Sequence, residues 1–91
     1  MERAAVRIRV MQGDRDVEGA YVRLLDAADE FVAEYRSRIN GLILFVLPQG
    51  AWRLICLAPV GKRVDRSFTV AGQEPLDITL QVPAQASPPA A

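Results

Sequence analysis

Asn40–Pro59 reads NGLILFVLPQGAWRLICLAP. Two apolar runs of strand length follow Asn40-Gly41, meet at Pro48-Gln49-Gly50 and stop at Pro59. Glycine enters positive φ freely and proline cannot continue a ladder, so these are the residues that tight turns require. The stretch predicts two adjacent antiparallel strands joined as a hairpin. It also holds the chain's only tryptophan, Trp52, and only cysteine, Cys56. The rest of the chain is expected to cover its faces.

Outward from the hairpin, hydrophobicity alternates with period two, the spacing of a half-buried strand. In Ala5–Met11, Val6, Ile8 and Val10 oppose Arg7 and Arg9. Gln12–Asp16 reads as a polar turn. Val17–Asp26 sets Ala20, Val22 and Leu24 against Tyr21, Arg23 and Leu25, and Phe31–Arg38 follows after a short loop. Val64–Val70 and Leu76–Val82 give two more strands across Ala71–Pro75. Seven short strands separated by turn signals predict an all-β, seven-stranded antiparallel β-sandwich over residues 1–82. The segment 83–91, PAQASPPAA, lacks side chains that pack and is expected to be a flexible tail.

Composition narrows the function classes. The 91 residues carry 11 basic and 11 acidic side chains in balance, so no basic footprint for nucleic acid or anionic lipid is present. No stretch reaches the apolar length of a membrane span, and the first residues, MERAAVRIRV, are broken by arginines, unlike a signal peptide. One cysteine cannot form an internal disulfide. The expected location is the cytoplasm.

The order VEGAYVRLLDAADEFVAE, NG-LILF, PQGAWRL and a closing LDITL resembles the carboxypeptidase-regulatory-like or transthyretin-like (prealbumin-like) domains. GAYVRLLDAADEFVAE is further similar to a small actinobacterial family of stand-alone domains of unknown function, tied to sulfur metabolism through gene neighbours. The resemblance covers about Val6 to Val82 and implies the transthyretin-like sandwich. That fold serves carriers, hydrolases, adhesin stalks and spacers alike, so no single activity follows. Matched glycines Gly19, Gly41 and Gly50 are expected as turn formers. By register with them, Ile43 and Phe45, then Trp52, Leu54 and Cys56, point into the core.

Chemical sites are narrowed by subtraction. With no histidine, the usual general base and commonest metal ligand is missing. The transthyretin-like hydrolases of purine breakdown build their sites from His and Arg, so that activity is not expected. Cys56 has no histidine partner, and zinc and iron lack ligands. Carboxylates in Gly13–Asp16 and Asp26–Glu30 fit no calcium-loop spacing. Adhesin-stalk relatives crosslink through a lysine on the first strand, where this chain has Arg7 and Arg9, while Lys62 sits in a loop. The expectation is a non-enzyme with no cofactor.

The departure from the resembled pattern carries the functional expectation. Where such domains place polar residues outward, this chain has Leu42, Leu44 and Val46, then Ile55 and Leu57, relieved only by Arg53. A hairpin apolar on both faces predicts a second cover, and an uncovered apolar patch marks an interaction surface. The expected function is a non-catalytic assembly or adaptor domain that binds itself, as a homo-oligomer, or a partner protein. A carbohydrate- or small-ligand-binding module is the alternative, for which Tyr21 and Tyr35 are the available platforms.

Overall fold

Eight strands follow one another in the computed structural model, which describes residues 2–59 and 62–83. They are β1 (Arg3–Gln12), β2 (Arg15–Asp16), β3 (Tyr21–Leu25), β4 (Phe31–Arg36), β5 (Leu42–Pro48), β6 (Gly50–Leu57), β7 (Arg63–Val70) and β8 (Leu76–Gln81). One sheet is built on β1, with β5 and the short β2 along one side and β8 on the other. The second runs β4-β3-β6-β7. All pairs are antiparallel except β1 with β8, which run parallel from Val6↔Leu76 to Met11↔Gln81. The expected tail, beyond Pro83, lies outside the described residues.

Period-two alternation becomes the core directly. Ala4, Val6, Ile8 and Val10 of β1 and Ile43, Phe45 and Leu47 of β5 face Val22, Leu24, Leu54 and Cys56 of the other sheet, all buried. Each fully buried Val, Leu or Ile removes enough apolar surface from water to contribute about 1.5–3 kcal/mol. Trp52, expected in the core, and its cross-strand partner Phe68 pack against the core but are only half-buried. They stand at the sandwich end next to the Pro48–Gly50 turn, where the covering sheet runs out.

Two local features depart from the sequence reading. The eighth strand is β2, formed where Gln12–Asp16 reads as a polar turn: Gly13 at φ 62 lets the chain reverse so that Met11 and Gln12 pair with Asp16 and Arg15. The strand expected over Val17–Asp26 forms only from Tyr21 to Leu25. Before it, the chain passes between sheets and is tied down by Ser37, a buried polar residue. The Ser37 hydroxyl donates to the Val17 carbonyl at 2.7 Å and accepts from the Ala20 N–H at 2.9 Å.

The largest departure concerns the central stretch. β5 and β6 are not hairpin partners. β5 pairs with β1 from Arg3↔Pro48 to Arg9↔Leu42, whereas β6 pairs with β3 and β7. Pro48-Gln49-Gly50 is therefore a corner between sheets. It is braced by Gln49, whose side-chain amide donates to Glu2 at 3.0 Å and to the Ala71 carbonyl at 3.3 Å. Trp52 Nε1 donates to the Pro48 carbonyl at 3.2 Å. Splitting the two runs lets each bury one face against the other across the core, which a flat hairpin cannot do.

Entry into β5 depends on Gly41. Its φ is 72°, and a Cβ there would meet the Val10 carbonyl oxygen at 2.6 Å. Gly13 has a similar φ of 62° but open space around it. The left-handed backbone cost is thus common to both positions, and the difference between them reports the backbone clash. Gly41→Ala should lose about 2–3 kcal/mol of stability and Gly13→Ala about 1 kcal/mol, measured by urea unfolding. Equal losses would show that β1 moves freely at Val10.

Candidate functional site

The outward residues of the central stretch lie on two opposed surfaces. Leu42, Leu44 and Val46 of β5 sit on the outer face of the β1 sheet, with Leu44 62% and Val46 56% exposed. Arg53, Ile55 and Leu57 sit on the outer face of the other sheet. The single patch expected from a hairpin is therefore corrected: two sheets packed face to face send these sets in opposite directions. Leu25, read as outward with Tyr21 and Arg23, is buried, since the β3–β4 register shifts at Leu24/Leu25.

The β6 set is enclosed by charge. Arg53 pairs with Asp65 and, at 3.2 Å, with Asp29. Ile55 is half-buried between Arg23 and Asp65 in register, and Arg23 bonds Glu34 at 3.0 Å. Leu57, 44% exposed, lies beside Tyr21, whose ring carries the Arg36 guanidinium at 5.4 Å. The Phe31 ring is likewise covered by the Arg23 guanidinium at 5.4 Å, so the exposed aromatics of this face carry charge over them.

The β5 set opens onto more apolar surface. Among the described residues eight large hydrophobics are exposed; Leu44 and Val46 of β5 and Tyr35 of β4 lie on this side, whereas Phe31 of β4 turns to the opposite face, where the Arg23 guanidinium sits over its ring at 5.4 Å. β4 and β5 belong to different sheets but line the same side of the sandwich, because Tyr35 meets the Phe45 ring edge-on at 5.2 Å. A groove of about 570 Å³ runs along this side between Tyr35, Arg36 and Arg38 and the residues Leu42–Leu44. Sequence reading missed the role of β4, whose side chains alternate without a clean apolar face. The available signal was Leu42–Leu47, six consecutive apolar residues in a strand.

The chemistry of the remaining candidates is structural. Cys56 is fully buried, and that burial pushes its thiol up to about 11, far from the thiolate a nucleophile needs. Asp65 and Asp77 are held below the usual carboxylate range by Arg53 and Arg7, the opposite of the raised carboxyl a general acid requires. Asp26 Oδ1 accepts from the Ala28 and Glu30 N–H groups at 2.9 and 3.0 Å, folding its loop around itself. Among the described residues no three His, Cys, Asp or Glu side chains converge to hold a metal ion. No helix there is long and apolar enough to cross a membrane. A shallow cavity of about 280 Å³ lies over Trp52, Phe68, Asp26, Asp29 and Arg53.

Residues 1–82 match the family described as Protein of unknown function (DUF1416), and the chain belongs to that family. It is 38% identical over 72 residues to an uncharacterized protein of Mycolicibacterium smegmatis, spanning 77% of this chain and 80% of that one. It is 44% identical over 54 residues to Uncharacterized protein Rv0814c of Mycobacterium tuberculosis, covering 58% of this chain. The match spans 54% of the length of that relative. Among solved structures it is similar to the TIE protein of Bacillus anthracis, with a TM-score of 0.80 at 16% identity over 90% of this chain and 17% of that one. The major pilin subunit BcpA of Bacillus cereus gives 0.72 at 12% identity, covering 89% and 30%. The 5-hydroxyisourate hydrolase of Klebsiella pneumoniae gives 0.63 at 18%, covering 84% and 90%. At these identities the likeness shows the fold, a transthyretin-like β-sandwich.

The raised Cys56 thiol has a pH signature. Its folded value lies above the unfolded value of 9.0, so its contribution is full below pH 9 and is lost as pH rises toward 11. Stability should fall by up to roughly 2–3 kcal/mol over that range, and Cys56→Val should flatten this part of the profile. Native labelling of Cys56 by a thiol reagent at pH 7 should be slow and limited by unfolding. Fast native labelling would mean that β6 opens locally.

Proposed function

We propose that the domain is a non-catalytic assembly or adaptor module that associates with itself or a partner protein through the apolar side formed by β5 and β4. The observation that carries this reading is that Leu44, Val46 and Tyr35 are exposed together beside a strand with no charge from Leu42 to Pro48, whereas on the opposite face the exposed Tyr21 and Phe31 rings lie under the Arg36 and Arg23 guanidinium groups. Contiguous exposed apolar surface of this kind is characteristic of interaction sites. Similarity to a pilin subunit is consistent with a sandwich used for assembly. Of the residues singled out by sequence, Leu42, Leu44 and Val46 belong to the proposed surface. Arg53, Ile55 and Leu57 do not, since one flat contact cannot take both sides of the sandwich.

A second reading rests on the half-buried Trp52 and Phe68, which with Asp26, Asp29 and Arg53 line the shallow cavity. Aromatic and polar groups together are the furniture of a glycan or small-ligand site. Arg53 is already engaged by two carboxylates and Trp52 Nε1 by the Pro48 carbonyl. That leaves few free polar groups for a ligand, so assembly is the stronger reading. Strong quenching of Trp52 fluorescence on addition of a glycan would favour the ligand module.

The test compares two charges on opposite faces. Leu44→Asp buries a carboxylate in any contact made through β5, at a cost of about 3 kcal/mol, roughly a hundredfold in affinity. Leu57→Asp places the same charge on the other sheet at a comparably exposed position. Sedimentation should show association weakened only in Leu44→Asp, with the circular dichroism of both unchanged. A chain that stays at 10.0 kDa at every concentration and forms no protein adduct through a photo-crosslinker at position 44 in its native host would overturn the reading.

A further inference from the structure

We infer that the main-chain edge of β5 pairs with β5 of a second copy, antiparallel about a twofold axis at Phe45, joining two β1 sheets into one. The inference rests on the proposed use of this side for assembly and names its partner. Of the long edge strands, β4 carries Glu34 and Arg36, β7 carries Arg63, Asp65 and Arg66, and β8 carries Asp77. β5 alone has no charge from Leu42 to Pro48. Sheet edges are ordinarily guarded by charges, so an unguarded edge this apolar is built to be covered.

The main chain fixes the register. The Gly41 carbonyl accepts from the Val10 N–H at 2.9 Å, toward β1. Strand alternation then turns the main-chain groups of Ile43, Phe45 and Leu47 toward β1 and those of Leu42, Leu44, Val46 and Pro48 away from it. The outward set is closed at both ends. The Leu42 N–H donates to Asn40 Oδ1 at 3.1 Å and its carbonyl accepts from the Arg38 N–H at 3.4 Å. Pro48 has no N–H, and its carbonyl accepts from Trp52 Nε1. Among the described residues this leaves four edge groups without partners: N–H and C=O of Leu44 and of Val46.

An antiparallel pair exchanges two hydrogen bonds between directly opposed residues whose groups face each other. Setting Leu44 opposite Val46 of the second copy satisfies all four groups on each chain. Moving the axis to Leu44 sets Val46 against the already closed Leu42. Moving it to Val46 sets Leu44 against Pro48. The twofold at Phe45 therefore uses every open group and none that is taken. It also places Leu44 beside Val46 of the second copy on the outer face. Tyr35, packed on Phe45, lies near the axis and becomes covered.

Charge favours the same arrangement. The Leu42 end carries Arg9 and Arg38, with Arg7 beside them already paired to Asp77, while the Pro48 end carries Glu2, held on Gln49, together with Arg3. Antiparallel pairing sets the positive end of one copy against the mixed end of the other. Parallel pairing would set like on like.

Amide hydrogen exchange of the intact chain, read residue by residue by NMR at low and high concentration, tests this. Ile43, Phe45 and Leu47 serve as references, protected by β1 in either state. The Leu44 and Val46 amides should exchange rapidly when dilute and slow roughly a hundredfold at concentrations where the mass doubles. Rapid exchange of both while the mass has doubled would overturn edge pairing and leave side-chain association standing. A monomer with rapid exchange at every concentration would overturn edge pairing together with self-association. Protection that persists where the mass is that of the monomer would show that the same chain covers its own edge, and would also overturn it.

Discussion

The structure depends on dividing its most hydrophobic stretch between two sheets. Leu42–Leu57 is apolar on both faces, and each strand can bury only one face against a sandwich core. A corner at Pro48–Gly50 sends Ile43, Phe45 and Leu47 inward from one sheet and Leu54 and Cys56 inward from the other. A single hairpin would have placed five aliphatics on one surface and left half the core to be filled from elsewhere. The corner is held by the Gln49 amide and the Trp52 indole.

The division settles where the surface is sticky. β6, in the interior of its sheet, has charged neighbours on β3 and β7, so its outward aliphatics are hemmed in by Arg23, Arg53 and Asp65. These exposed ion pairs contribute little to stability, yet they keep that face solvated and selective against nonspecific contact. β5 is at an edge, its one neighbour being β1, and Arg7 there is drawn toward Asp77 on β8, away from Leu44. Apolar surface without a charged neighbour over it is thus left on the β5 flank, where β4 adds Tyr35 from the opposite sheet.

Much of the fold is legible in the sequence because period-two alternation is a local signal. Val6, Ile8 and Val10, or Ile78 and Leu80, declare their inward face without reference to any other strand. Strand partnership is non-local, and turn chemistry does not report it. Pro48-Gln49-Gly50 serves a hairpin and a corner between sheets equally well, so residue types could not say that β5 would leave β6 for β1. The same limit explains β2, whose two residues pair only because β1 overruns its neighbours, and Leu25, whose burial follows from a register shift in β4. Trp52 packs against the core as its register implies but is only half-buried, since its depth depends on where the covering sheet stops. For the surface itself, the aliphatic outward positions were readable, but their separation onto opposite faces required the topology.

What the chain lacks directs attention to that flank. It has no histidine, its one thiol is buried, and the carboxylates with shifted acidity are neutralised by arginines rather than poised to give up or take a proton. The central claim, that β5 and not β6 meets a partner copy, is tested most directly by following methyl resonances of the isotopically labelled chain as it is concentrated. The account predicts concentration-dependent shifts at Leu42, Leu44 and Val46, with Ile55 and Leu57 unmoved. Shifts centred on Ile55 and Leu57, or an unchanged spectrum across the whole range, would contradict it.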